Sequence, residues 1–216
     1  TNSKYVTFIL NLNINAEIVW RTFNNKVRNA VRKAMKSGAE IVDDNDIEEF
    51  YGLYVRNMRN LGTPPHTFAF FRNLLYEFPE HTKVVRVQYD GMSVAAMFLL
   101  YFKDTIISGW AASDRKYRKI NPNNLLYWEV IKAGCEKGYK YFDFGRSLKG
   151  SGTFKFKKPW GGEIKQLHYQ YYLCNKKNVP DTSQSNPKRQ KFANIWRKLP
   201  LKLTTAIGPL IRRGIP

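Results

Sequence analysis

Acidic residues are scarce in this sequence relative to basic ones. Its 216 residues hold 17 Asp+Glu against 36 Lys+Arg, a formal charge of +19. An excess of that size points to an anionic partner, whether nucleic acid, a phosphorylated metabolite or an acidic membrane face, unless it serves solubility alone. Cysteine is sparser still. Cys135 and Cys174 stand far apart without CxxC or CxxH spacing, which argues against a disulfide framework and fits free thiols in a reducing compartment. Cys135 lies in an apolar helical pattern and reads as a small buried side chain. Three histidines are scattered along the chain, so no metal site is expected. No apolar run approaches the roughly 20 residues needed to span a bilayer. The chain opens at Thr1 on the strand-like YVTFIL, without a charged segment leading into an apolar core, so no signal peptide is visible and the expected location is cytoplasmic. The missing initiator Met reads as a processed chain or a fragment with more domain upstream.

What is present suffices for a packed core: 43% of residues are hydrophobic and 15% aromatic. Residues 5–10 read as a strand, and 16–37 as one helix with Val27, Val31, Ala34 and Met35 on its apolar face and Arg28, Arg32 and Lys36 as a basic stripe. Helices follow over 47–62 and 67–78, separated by LGTPPH, where two prolines break the chain. KVVRVQYD, SVAAMFLLYF and TIISGWAAS then read as an antiparallel meander turned at Asp90-Gly91 and Asp104. Asn121-Pro122 opens a helix that Gly138 closes. YKYFDFG (139–145) reads as a strand, and a loop and short helix lead to a last strand over 163–173.

The loop GRSLKGSGTFKFKKPWGG (145–162) holds five glycines, five bases and no acid. It reads as a flexible segment closing on an anion, or else as a solvated basic turn. Gly145 to Gly150 has Walker spacing, but Ser151 stands where the lysine belongs, so a nucleotide loop is excluded. Beyond Asp181 there is no acid at all, and NPKRQKFANIWRKLPLKLTTAIGPLIRRGIP carries eight bases among Trp, Leu and Ile, with Pro200 and Pro209 cutting it into short pieces. This basic amphipathic tail suits three uses: lying on an anionic membrane, on the inner face in a cytoplasmic protein; packing back on the domain; or binding RNA.

The element order is helices, three antiparallel strands, helix, strand, loop with helix, strand. It resembles the GNAT acyltransferase fold, an α/β (α+β) architecture with a mixed, mainly antiparallel sheet flanked by helices. VRNAVRKAMKSGAEI, LGTPPHTFAFF, GWAAS followed by NPNNLLYWEVIKAG, and FDFGRSLKGSGTFKFKKPWGGE, in that order and spacing, resemble the FemAB family of aminoacyl-tRNA-dependent peptidyltransferases. The likeness is greatest to the FemAB-like proteins that accompany exosortase (PEP-CTERM) sorting systems. Such proteins carry two GNAT-like halves. The resemblance therefore implies that residues 1–45 end a missing N-terminal half, that 46–175 form the acyltransferase domain, and that 176–216 are an appended tail.

Phe156-Lys157 and Trp160-Gly161 fall on the family's FKxx[F/W]G motif, which implies that Lys157 lies near the transferred acyl group. An ammonium there would stabilise the oxyanion formed when an amine attacks an ester, worth about 3 kcal/mol. Arg146, Lys149 and Lys155 would bind phosphate of donor or acceptor. Trp160 belongs to the same substrate-binding set. Asp143, in FDFG, would orient the amine or pair with Arg146, or simply tie down the loop. Trp110 and Tyr127 would line the pocket unless they are core. His66 would act as base or substrate ligand unless it caps the next helix. Acetyl-CoA enzymes of this fold cradle pyrophosphate on a [Q/R]xxGx[G/A] turn; here Arg118 is followed by Asn121, Pro122 and Asn123, so no cofactor is expected. The expected reaction is aminoacyl or acyl transfer, in which an acceptor amine attacks an activated acyl ester directly, without an enzyme nucleophile. Its rivals are an acyl-CoA-dependent N-acyltransferase and a non-catalytic basic module on RNA or membrane.

Overall fold

The computed structural model describes residues 2–172 and 186–214. Cys174 and the end of the last expected strand lie outside them. β1 (Asn2–Asn11) leads to α1 (Ala16–Thr22), α2 (Asn25–Lys36) and β2 (Glu40–Val42). The single helix expected over 16–37 is thus two. Phe23 is extended, and the Asn24 side chain accepts the Lys26 N–H, capping a fresh start. α3 (Ile47–Leu61) begins at the double cap of Asp46 and ends at Gly62, left-handed at φ 75°. α4 (Phe68–Glu77) is capped by Thr67, so His66 is free of that duty.

β3 (Thr82–Tyr89), β4 (Met92–Phe102) and β5 (Thr105–Ser113) form the expected meander. α5 (Pro122–Glu136) crosses over to β6 (Tyr141–Asp143). β7 (Ser147–Leu148), α6 (Gly152–Lys157) and β8 (Glu163–Tyr169) follow, then α7 (Pro187–Lys198) and α8 (Leu201–Arg212). Pro209 does not cut the tail as expected: it sits inside α8, and only Pro200 separates two pieces.

The sheet runs β2-β3-β4-β5-β6-β1-β7, with β8 on the other edge of β1. Among the described residues, all pairings are antiparallel except β5 with β6. This is the mixed, mainly antiparallel sheet anticipated above. The segment 1–45 contributes its interior strand β1, and α2 packs on the same core.

β4 explains the layering. Val94 through Leu99 are all essentially buried, as a continuous apolar run requires when both faces of a strand are covered. Val85, Met97, Leu99 and Ile106 face α2 and α5, packing with Val27, Val31, Leu126 and Val130. Val84, Ala96 and Phe98 face α3 and α4, packing with Phe50, Leu53 and Phe71. Helices therefore lie on both faces, and the crossover through α5 makes β5 and β6 parallel neighbours.

Candidate active site

β5 and β6 stay paired only from Thr105–Ile107 to Tyr141–Asp143, and beyond that point no pairing joins them. The turn after β6 is held on three sides. The Asp143 carboxylate accepts the Thr7 hydroxyl and, at 2.7 Å, the Gly145 N–H. The Lys157 ammonium donates to Gly145 O at 2.8 Å and Arg146 O at 3.4 Å. Gly145 itself is left-handed at φ 72°, and a Cβ there would stand 2.8 Å from Ser108 O on β5. Both the conformation and the close approach require glycine.

Lys157 is 6% exposed. Burial pushes its ammonium down to about 8, against the opposing pull of the Asp143 charge. The sequence placed this ammonium against a developing oxyanion. In the structure two of its N–H groups are spent on backbone carbonyls, because a buried ammonium must find acceptors. Asp143 likewise ties down the loop backbone and does not pair with Arg146 among the described contacts.

Arg146, Lys149 and Lys155 are exposed. The Arg146 guanidinium lies 4.9 Å from the Tyr5 ring centre and 6.0 Å from that of Tyr169, whose hydroxyl it meets at 3.3 Å. Lys149 donates to Gln166 Oε1 at 2.7 Å. Trp160, expected in the substrate-binding set, and Tyr127, expected in the pocket or the core, are both buried. Trp160 is fully buried among Phe23, Tyr127, Phe144 and Phe156. The Tyr127 hydroxyl meets Ser108 Oγ at 3.2 Å, and burial raises its pKa. These rings pack on one another because the α5 face of the sheet excludes water.

Trp110 reaches the other face through a bulge. Phe98 pairs with Trp110 and Leu99 with Ser108, so Gly109 is an extra residue. Ser108 turns to Tyr127 on α5, while Trp110 packs against Phe70 and Phe71 of α4. Were Gly109 paired regularly, period-two alternation would put both on one side. His66 stacks on Phe70 at 4.5 Å and stands 6.0 Å from Trp110. Its backbone N–H donates to the Tyr54 hydroxyl, and its backbone carbonyl accepts from the Tyr51 hydroxyl at 3.0 Å. Burial, then the charge of Arg212, lowers the imidazole pKa, so the ring is neutral at physiological pH.

The structure thus forms two groups. Asp143, Gly145 and Lys157 fix the turn that follows β6, and His66 packs with Trp110, Phe70 and Phe71 on the α4 face of the sheet. Thr7, Tyr51, Tyr54 and Gly109 were not anticipated. A glycine inside TIISGWAAS was a legible signal for the bulge, whereas Thr7 became visible only through pairing.

Residues 21–158 match the family model described as Acetyltransf_6, acetyltransferase (GNAT) domain. The chain belongs to the GNAT acetyltransferase domain family. No curated protein sequence matches it significantly. Solved structures with the same fold include FemX, at 16% identity and TM-score 0.69, with 74% of this chain and 59% of that chain covered. L-PGS from Bacillus licheniformis matches at 13% identity and TM-score 0.58, covering 76% of this chain and 59% of that one. AAC(6')-Iy, solved with a CoA-containing bisubstrate analogue, matches at 16% identity and TM-score 0.51, covering 64% of this chain and 99% of that one. The chain therefore spans well under two thirds of the FemX and L-PGS structures.

The GNAT fold implies acetyl-CoA, and the residues at the start of α5 do not fit its pyrophosphate. Asn121 takes the left-handed conformation at φ 56°, Pro122 brings no N–H, and the Asn124 N–H turns back to Asn121 O at 3.0 Å. Residues 115–120 form a 3-10 turn, and the Asn123 side chain is bound to Ser113 Oγ. A phosphate cradle needs several N–H groups converging on open space.

Proposed function

We propose that this GNAT domain is an aminoacyl- or acyltransferase of the FemAB type, drawing its acyl group from an ester such as the charged end of a tRNA. The observation that carries the reading is the start of α5, where Asn121 is left-handed, Pro122 brings no N–H and the Asn124 N–H turns back to Asn121 O. The FemX fold match and the motif order of residues 143–163 support it. In the reaction, an acceptor amine attacks the ester carbonyl. A C–N bond forms, the ester C–O bond breaks, and the amine's proton passes to the leaving hydroxyl. Neutral His66 is the candidate proton carrier, and Trp110 the wall against which the acyl group rests. Lys157 and Asp143 are positioning residues that keep the β5–β6 opening in shape. Exposed Arg146, Lys149 and Lys155 are the phosphate contacts for donor or acceptor. Binding and orientation supply most of the rate, since no covalent nucleophile is needed. The finer assignment, to the exosortase-linked group with a cell-envelope or exopolysaccharide-related amine as acceptor, rests on motif likeness.

Titration with acetyl-CoA alongside transfer assays from a mixed aminoacyl-tRNA pool tests the reading. The expected result is transfer from tRNA to amine acceptors without saturable acetyl-CoA binding. Micromolar acetyl-CoA binding, with acyl transfer from it, would replace the proposal by an acyl-CoA-dependent reaction.

A further inference from the structure

α7 and α8 are not a loose tail. Trp196 is 2% exposed and Thr204 1%. A Cβ on Gly62 would stand 2.6 Å from the Ala193 Cβ, and one on Gly208 would stand 2.4 Å from the Pro65 ring. Arg197 donates to Asn60 O and Leu61 O, both at 3.3 Å. These contacts seat both helices on α3 and the turn before α4, and so fix which side of each helix faces out.

The outward side is apolar at its centre. Ile195 is 55% exposed, Leu203 43% and Leu210 64%. Leu203 and Leu210 are seven residues apart, two turns along one helix face. Lys191 and Lys198 are one turn either side of Ile195, and Lys202 adjoins Leu203; all three are exposed. Every ionisable side chain of both helices is basic. Exposed aliphatic residues cost solubility with no gain in an aqueous setting. RNA would use the bases but gains little from leucine or isoleucine, which offer neither a stacking face nor a hydrogen bond. An anionic bilayer uses both: headgroups pair with the lysines while aliphatic side chains enter the acyl boundary.

We propose that the outward face of α7–α8 docks on an anionic membrane as a preformed surface, with Ile195, Leu203 and Leu210 inserting and Lys191, Lys198 and Lys202 meeting lipid phosphates. The proposal is independent of the reaction assigned above. Among the described residues no helix is long and apolar enough to cross a membrane, so the contact is peripheral.

The test is sedimentation of the full chain with vesicles of phosphatidylcholine alone and of phosphatidylcholine mixed with phosphatidylglycerol. Binding is expected only to the mixed vesicles and should weaken with salt. L203E/L210E and K191E/K198E/K202E should each lower it by about tenfold, with unchanged circular dichroism and thermal unfolding. If the double variant unfolds, L210E, at the most exposed position, takes its place. No binding to mixed vesicles by the wild type overturns the proposal, as does full binding by a folded leucine variant. So does tRNA binding that displaces vesicles and ignores the leucine substitutions, which would assign the face to RNA.

Discussion

Lys157 is the residue whose energetics can be worked furthest. Its ammonium falls from the usual value near 10.5 to about 8 because it is buried. That shift corresponds to a cost of about 3 kcal/mol for holding the charge inside at neutral pH. The two hydrogen bonds to Gly145 O and Arg146 O return roughly 1 kcal/mol each, so Lys157→Met should change stability little near neutrality. The pH dependence is the sharper readout. Between about pH 8 and about pH 10.5 the unfolded chain binds more protons at this site than the folded one, so wild-type stability rises with pH there. Relative to Lys157→Met, the wild type should gain about 2 kcal/mol between about pH 7.5 and about pH 9.5. Urea unfolding followed by tryptophan fluorescence measures this, and taking the difference between the two proteins cancels other titrating groups. A wild-type-minus-variant difference that stays flat across that range would refute the claim that the ammonium is buried.

Three further substitutions probe the same framework. Gly145→Ala meets both the positive φ and the Ser108 carbonyl, and should cost roughly 1–3 kcal/mol in thermal unfolding; a neutral result would mean the turn relaxes freely. Gly109→Val crowds the bulge, where a Cβ would stand 3.1 Å from Phe98 O, and should disturb the seat of Trp110 against α4, seen as altered near-ultraviolet dichroism; an unchanged spectrum would contradict the bulge. Trp196→Ala, at a site 2% exposed, should forfeit about 3–5 kcal/mol of packing and release α7 and α8, so that limited trypsin digestion removes them first. Equal resistance in variant and wild type would show that the helices are held elsewhere.

Much of the architecture was legible because local rules and long-range packing agree. The unbroken apolar run of β4 requires a strand covered on both faces, the Asp90-Gly91 turn fixes its hairpin, and Gly62 and Gly138 end helices where a left-handed residue is needed. Two errors came from punctuation too weak to see. Asn24 restarts a helix inside a continuous apolar pattern, and Pro209 is tolerated inside α8 where a break was expected. The candidate site was less legible. Lys157, Asp143, His66 and Trp110 were picked out by motif and residue type, but not the directions in which they point.

By itself the sequence determined the antiparallel meander, the helix stops at Gly62 and Gly138 and the excess of positive charge, since each follows from residue type and local spacing. Only tertiary structure decided that β1 lies inside the sheet, that Lys157 faces carbonyls and not solvent, that Tyr127 and Trp160 are core, and that the basic tail is seated on α3. Those outcomes depend on which distant segments share one small volume, and no stretch of chain read alone carries that information.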